Sequence, residues 1–282
     1  MNLFTPPLSY WKRGLVMLGT FFVMTFIAAL LFRFVITLGR NPLIGQALAT
    51  VVIFGGTAFV YCWLMDKKEE VREVCRQKFS WKWLLAVVLM VIAASSVMDY
   101  ISTESDYNEN IKSLITDVSY WGLVKMIVAL ALLPAIFEEI FFRGVLQKFL
   151  IRWTRSALAG IVIAAAIFSL VHGDMANFVP RFLLGLILGL LYQYSNRLWT
   201  NMMFHFLNNM IAAFIIWALL RGDIISEQLN FHWVFAILAL LYITVFVVYN
   251  ELKNTRSIRN NSLELENSRL STSFRNFKEK EL

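Results

Sequence analysis

The stretch LVMLGTFFVMTFIAALLFRFVITL, Leu15 to Leu38, holds 24 residues of which Arg33 alone is charged. At about 1.5 Å per residue a helix of this length reaches about 36 Å, enough to cross a hydrocarbon layer of about 30 Å. It is too long for a secretory signal and carries no small-residue cleavage site, so it reads as a retained membrane helix. Seven further apolar runs follow, at Leu43 to Met65, Trp83 to Met98, Trp121 to Leu150, Ala157 to His172, Ala176 to Tyr194, Trp199 to Leu220 and Phe231 to Tyr249. The chain is 59% hydrophobic with 24 Phe and 9 Trp, more than a soluble core of 282 residues would bury. A β-barrel would alternate apolar and polar residues, whereas these runs are continuously apolar, so the backbone groups must be satisfied within helices. The expected fold is all-α, a polytopic membrane protein of about eight transmembrane helices. One domain covers residues 1–250, with a polar tail over 251–282.

The net charge of +7 is distributed along the membrane rather than gathered for nucleic acid. With a cytoplasmic N-terminus, the inner segments hold Lys12, Arg13, six Lys or Arg from Lys67 to Lys82, then Lys148, Arg152, Arg155, Arg197 and the tail. The outer segments hold Arg33, Arg40, Lys112, Arg181 and Arg221. This asymmetry follows the positive-inside rule and places both termini in the cytoplasm. Cys62 and Cys75 fall in or near an inner loop, where neither a disulfide nor a two-thiol metal site is expected. The acidic segment 99–120 reads as a solvated outer loop. Gly185 and Gly189 form a GxxxG step, a sign of close helix packing.

Ionisable groups inside a span cost at least about 2.5 kcal/mol each, which makes them functional candidates. Glu138, Glu139 and Arg143 lie in the fourth run, within PAIFEEIFFRG. Glu139 and Arg143 are four apart in the favourable acid-first order and read as an ion pair that supports the structure. Glu138 is turned about 100° away, has Phe142 at its own i+4 position, and is left as a carboxylate able to take and return a proton. His172 follows Phe168 by one turn, as an aromatic wall and a second imidazole. His205 and Asn209, again four apart, can offer hydrogen bonds to a developing oxyanion, with Asn208 alongside. Straight helices would set His205 about 6 Å inward and His172 about 11 Å outward of Glu138, so tilt, a shifted fifth span or a bend at Pro134 must bring them together.

EEIFFR, FSLVH and HFLNN resemble the EExxxR, FxxxH and HxxxN motifs of the CAAX protease and bacteriocin-processing family, the type II CAAX prenyl endopeptidases and their bacterial relatives. The resemblance covers Glu138 to Asn209. It implies an intramembrane endopeptidase in which Glu138 and His172 activate water, His205 and Asn209 stabilise the oxyanion, and Glu139, Arg143 and Phe168 support the site. No HExxH is present, and a metal-free glutamate mechanism is the preferred reading. If zinc is used, His172, His205 and Glu138 are its ligands. The expected partners are the lipid bilayer and a membrane-associated or lipidated peptide or protein. The lack of a visible targeting signal favours a bacterial plasma membrane. A non-proteolytic scaffold that regulates a membrane partner such as a sensor kinase is the alternative, and a proton-coupled transporter a third reading. The unpaired Glu138 speaks against the scaffold, and the lack of internal repeats against the transporter.

Overall fold

A computed structural model describes residues 8–65, 81–101 and 114–222, and no strand occurs among them. Seven helices follow in chain order. They are α1 (Leu8–Thr37), α2 (Pro42–Leu64), α3 (Trp81–Ile101), α4 (residues 120–154), α5 (Ala157–Leu170), α6 (Phe178–Ser195) and α7 (Leu198–Arg221). They coincide with the first seven apolar runs. The eighth run, Phe231 to Tyr249, the tail and most of the outer loop lie outside the described residues.

Among the described residues four helices are long and apolar enough to cross a membrane, at Tyr10–Thr37, Pro42–Leu64, Phe178–Ser195 and Leu198–Arg221. On α1, Leu15, Phe22, Phe26 and Phe34 are all at least 60% exposed, whereas Met17, Ala28 and Val35 are buried. That one-sided pattern is what a helix facing lipid on one side and protein on the other produces. At 14 residues α5 reaches only about 21 Å. It ends because the chain turns at Gly173, whose φ of +69° suits glycine.

The turns are set by local chemistry. The Leu43 N–H donates to Asn41 Oδ1 at 2.9 Å, capping α2 just before Pro42. The Gly122 and Ala159 N–H groups donate in the same way to Ser119 and Ser156, at 3.1 and 3.2 Å. Arg155 and Asn196 adopt left-handed φ angles of 56° and 48°, which stop α4 and α6 and allow short connections to α5 and α7.

Two helices are not regular. In α2, Val51–Gly56 is π-helical. In α4, Ile127–Leu132 and Ile140–Gln147 are π-helical and bracket the α-helical stretch Leu133–Glu139, at whose end the two glutamates stand. A π turn closes over five residues rather than four, which re-aims the side chains that follow it.

The GxxxG step of α6 lies against α5. A Cβ at Gly185 would stand 3.0 Å from the Ala165 Cα, and one at Gly189 would stand 2.7 Å from Ile161 Cγ2. The same bare surface exposes two carbonyls one turn apart. Arg143 Nη2 donates to Gly185 O at 3.2 Å and Gln147 Nε2 to Gly189 O at 3.1 Å, so α4 is keyed to α6 by two rungs.

Candidate active site

A relay of aromatic rings leads from the lipid-facing helices to the polar centre. Phe21 of α1 packs on Phe54 of α2 at 6.4 Å, Phe54 on Phe142 of α4 at 5.6 Å, and Phe142 edge-on against Phe168 of α5 at 5.1 Å. The Phe168 ring then meets both imidazoles, with centroids 4.9 Å from His172 and 5.9 Å from His205. The Arg143 guanidinium carbon sits 5.1 Å from the same ring. Phe168 is thus the partition around which cation and imidazoles are ordered.

The expected ion pair forms, with Arg143 Nη1 donating to Glu139 Oε1 at 2.8 Å, both side chains being almost completely buried. Glu139 does more than pair with Arg143. His205 Nδ1 donates to the same Oε1 at 2.8 Å, and Asn201 Nδ2 donates to Oε2 at 3.4 Å. A carboxylate accepts only, so Nδ1 of His205 carries hydrogen and the ring is fixed with Nε2 turned towards Glu138, 3.9 Å from its Oε2. That Oε2 is buried and has no hydrogen-bond partner.

His172 lies beyond the end of α5, in the turn before α6. Its Nδ1 donates to Phe168 O at 2.7 Å, leaving Nε2 as the acceptor when the ring is neutral. The turn is stapled from behind by buried Asp174, which accepts from Asn177 Nδ2 at 3.0 Å and from Arg181 Nη1 at 2.7 Å. On α7, Asn208 Nδ2 donates to Asn209 Oδ1 at 3.4 Å, and Asn209 Nδ2 donates to Leu130 O at 3.4 Å. Leu130 belongs to the first π-helical section of α4. The Asn209 amide is therefore held by its oxygen and one N–H, with the second N–H left over.

Glu138, Phe168, His172, His205, Asn208 and Asn209 all line one cavity of about 650 Å³. α1 and α2 line it as well, through Phe21, Gln46, Thr50 and Phe54. The four candidates Glu138, His172, His205 and Asn209 thus share a single chamber, and Glu139 and Arg143 stand behind it. Sequence reasoning missed Asn201, whose Nδ2 also donates to Leu188 O at 2.6 Å. The signal was present, since Asn201, His205 and Asn209 recur every four residues on one stripe of α7. Among the described residues no three His, Cys, Asp or Glu side chains are grouped so as to hold a metal ion, and His205 Nδ1 is already committed to Glu139.

Fold and site together define a multi-pass membrane protein, all-helical over the described residues, with a carboxylate, two imidazoles and an amide around one cavity. Residues 120–211 match the family model described as type II CAAX prenyl endopeptidase Rce1-like, a protease family, and the resemblance carried by the three motifs is thereby shown over α4 to the middle of α7. No curated protein and no solved structure matches the chain. Helices α1 to α3 precede the matched segment, although α1 and α2 supply one wall of the cavity.

Proposed function

We propose that the protein is an intramembrane endopeptidase, resident in a bacterial plasma membrane, that hydrolyses a peptide bond in a membrane-associated or lipidated peptide. The observation that carries this reading is Glu138, a carboxylate at the cavity wall with no cation of its own and with His205 Nε2 at 3.9 Å, inside the segment matched to the protease family. Glu138 takes a proton from a water in the cavity, with His172 Nε2 as the second acceptor that orients it. The resulting hydroxide attacks the scissile carbonyl, whose oxygen becomes an oxyanion. Asn209 donates its remaining N–H to that oxygen, and His205 donates through Nε2 when protonated. Collapse of the tetrahedral intermediate breaks the C–N bond, and the proton held by Glu138 passes to the leaving amine.

Glu139 and Arg143 are positioning residues in this scheme, since they fix the His205 ring without touching substrate. The direct test is to incubate the purified chain in detergent micelles with a farnesylated, internally quenched peptide ending in a CAAX sequence. Mass spectrometry is expected to find two fragments whose masses sum to that of the peptide plus one water. Intact peptide after long incubation, with the chain folded, would overturn the assignment and favour a scaffold.

A further inference from the structure

The α2 wall of the cavity carries two polar groups that the chemistry above does not use. Gln46 and Thr50 lie one turn apart on α2, and both line the cavity beside apolar Ala49, Ile53 and Phe54. Elsewhere the helical threonines Thr20, Thr25, Thr37 and Thr57 each turn the hydroxyl back onto the carbonyl four residues earlier, the usual resting place of that group. Thr50 is only 4% exposed, yet its hydroxyl makes no hydrogen bond among the described residues, and neither does the half-buried Gln46 carboxamide. A polar group left unpaired in an apolar wall is destabilising, so a pair of them facing a cavity points to a polar occupant.

We propose that Gln46 and Thr50 hydrogen-bond the main chain of the substrate and hold it extended against the Glu138 wall. This inference rests on the protease reading above and adds the mode of substrate binding. Four helical residues rise about 6 Å. Main-chain groups on one edge of an extended peptide repeat at about 6.6 Å. A carboxamide and a hydroxyl can each donate and accept, which matches the alternating C=O and N–H of a peptide and has no counterpart in an acyl or prenyl chain. Recognition through the main chain makes this wall indifferent to substrate side chains. Both residues lie ahead of the segment that matches the protease family, so they are a contribution of α2 to this chain's site.

The experiment measures binding of a fluorescent farnesylated CAAX peptide to the full chain carrying Glu138→Gln, with Gln46→Leu or Thr50→Val added. Each addition is expected to raise Kd about tenfold, the loss of one hydrogen bond at about 1.4 kcal/mol. Both changes remove a polar group from apolar surroundings, so melting midpoints at or above that of the parent are expected. Thr50→Val, nearly isosteric, stands in if Gln46→Leu does not fold. A peptide with one main-chain amide replaced by an ester is expected to bind the parent more weakly but Gln46→Leu no more weakly than the all-amide peptide does. Unchanged Kd in both variants, no binding of the peptide to the parent, or equal ester losses in parent and variant would each overturn the proposal. Cleavage by the Glu138→Gln parent would instead sink Glu138 as the general base, and not the binding mode that these affinities test.

Discussion

Replacing Arg143 by Met isolates the function of the buried ion pair. Met keeps most of the aliphatic stem and the contact with Phe168 but removes the cation that stands 2.8 Å from Glu139 Oε1. Two unit charges at that distance attract by about 6 kcal/mol at an effective dielectric of 20, and breaking a buried pair on one side only costs about 3–5 kcal/mol net. Gly185 O loses its donor as well, since Arg143 Nη2 serves it at 3.2 Å. The expected loss is therefore about 3–5 kcal/mol, which at roughly 2–4 °C per kcal/mol lowers the melting midpoint by about 6–20 °C. Differential scanning fluorimetry of the purified chain in detergent reads this directly. Adding Glu139→Gln removes the stranded charge, so Glu139→Gln/Arg143→Met is expected to recover more than half of the lost midpoint. The same double variant should recover no activity, because Glu139 also holds His205. An Arg143→Met midpoint within about 2 °C of wild type, or a double variant no better than the single, would refute the view that Arg143 neutralises Glu139 in a dry interior.

Three further outcomes follow from other contacts. Asn201→Leu removes a donor to Glu139 Oε2 and is expected to lower kcat about tenfold with KM unchanged, with no further drop in a Glu139→Gln background; additive losses in steady-state assays would show that Asn201 acts by another route. Just before the N-terminus of α4, the Ser119 side chain, then Lys125, holds the Asp117 carboxyl well down, at about 2. A depressed folded value means that this contact stabilises above the ordinary range near 4 and is lost as pH falls through about 2, so the protection factors of amides 114–126, corrected for intrinsic exchange, should be constant from pH 8 to 4 and fall only below it. The glutamate mechanism proposed above needs no metal, so it predicts that cleavage survives prolonged dialysis against a strong chelator, and a loss restored by added zinc would contradict it.

The extent to which the site was legible depends on the range of each interaction. Helical periodicity is local, so α1 to α7, the Glu139–Arg143 pair and the separation of Glu138 from Glu139 could all be read from spacing. Contacts across helices could not. That Glu139 holds His205, 66 positions away, follows from packing of α4 on α7, which no short window encodes. The π-helical sections around Pro134 left no clear mark either, because a five-residue turn is selected by side chains wedged between neighbouring helices. The GxxxG step gave a partial reading: close packing was expected, whereas the carbonyls it uncovers for Arg143 and Gln147 depend on a third helix. His172 was placed at the end of a span, and it stands in the turn beyond Leu170, where Phe168 O can fix its ring. The α2 wall with Gln46 and Thr50 carries no charge and could be recognised only once the helices had been brought around the cavity.

Everything turns on whether Glu138 activates water. The decisive comparison is kcat/KM for the farnesylated CAAX peptide between wild type and Glu138→Gln, with melting midpoints recorded on the same preparations. Glutamine keeps the shape and removes the base, so a fall of about 10²–10⁴-fold is expected, with a midpoint no lower than that of wild type. A folded Glu138→Gln protein that cleaves within about threefold of wild type would contradict the glutamate mechanism, since a general base is worth far more than that.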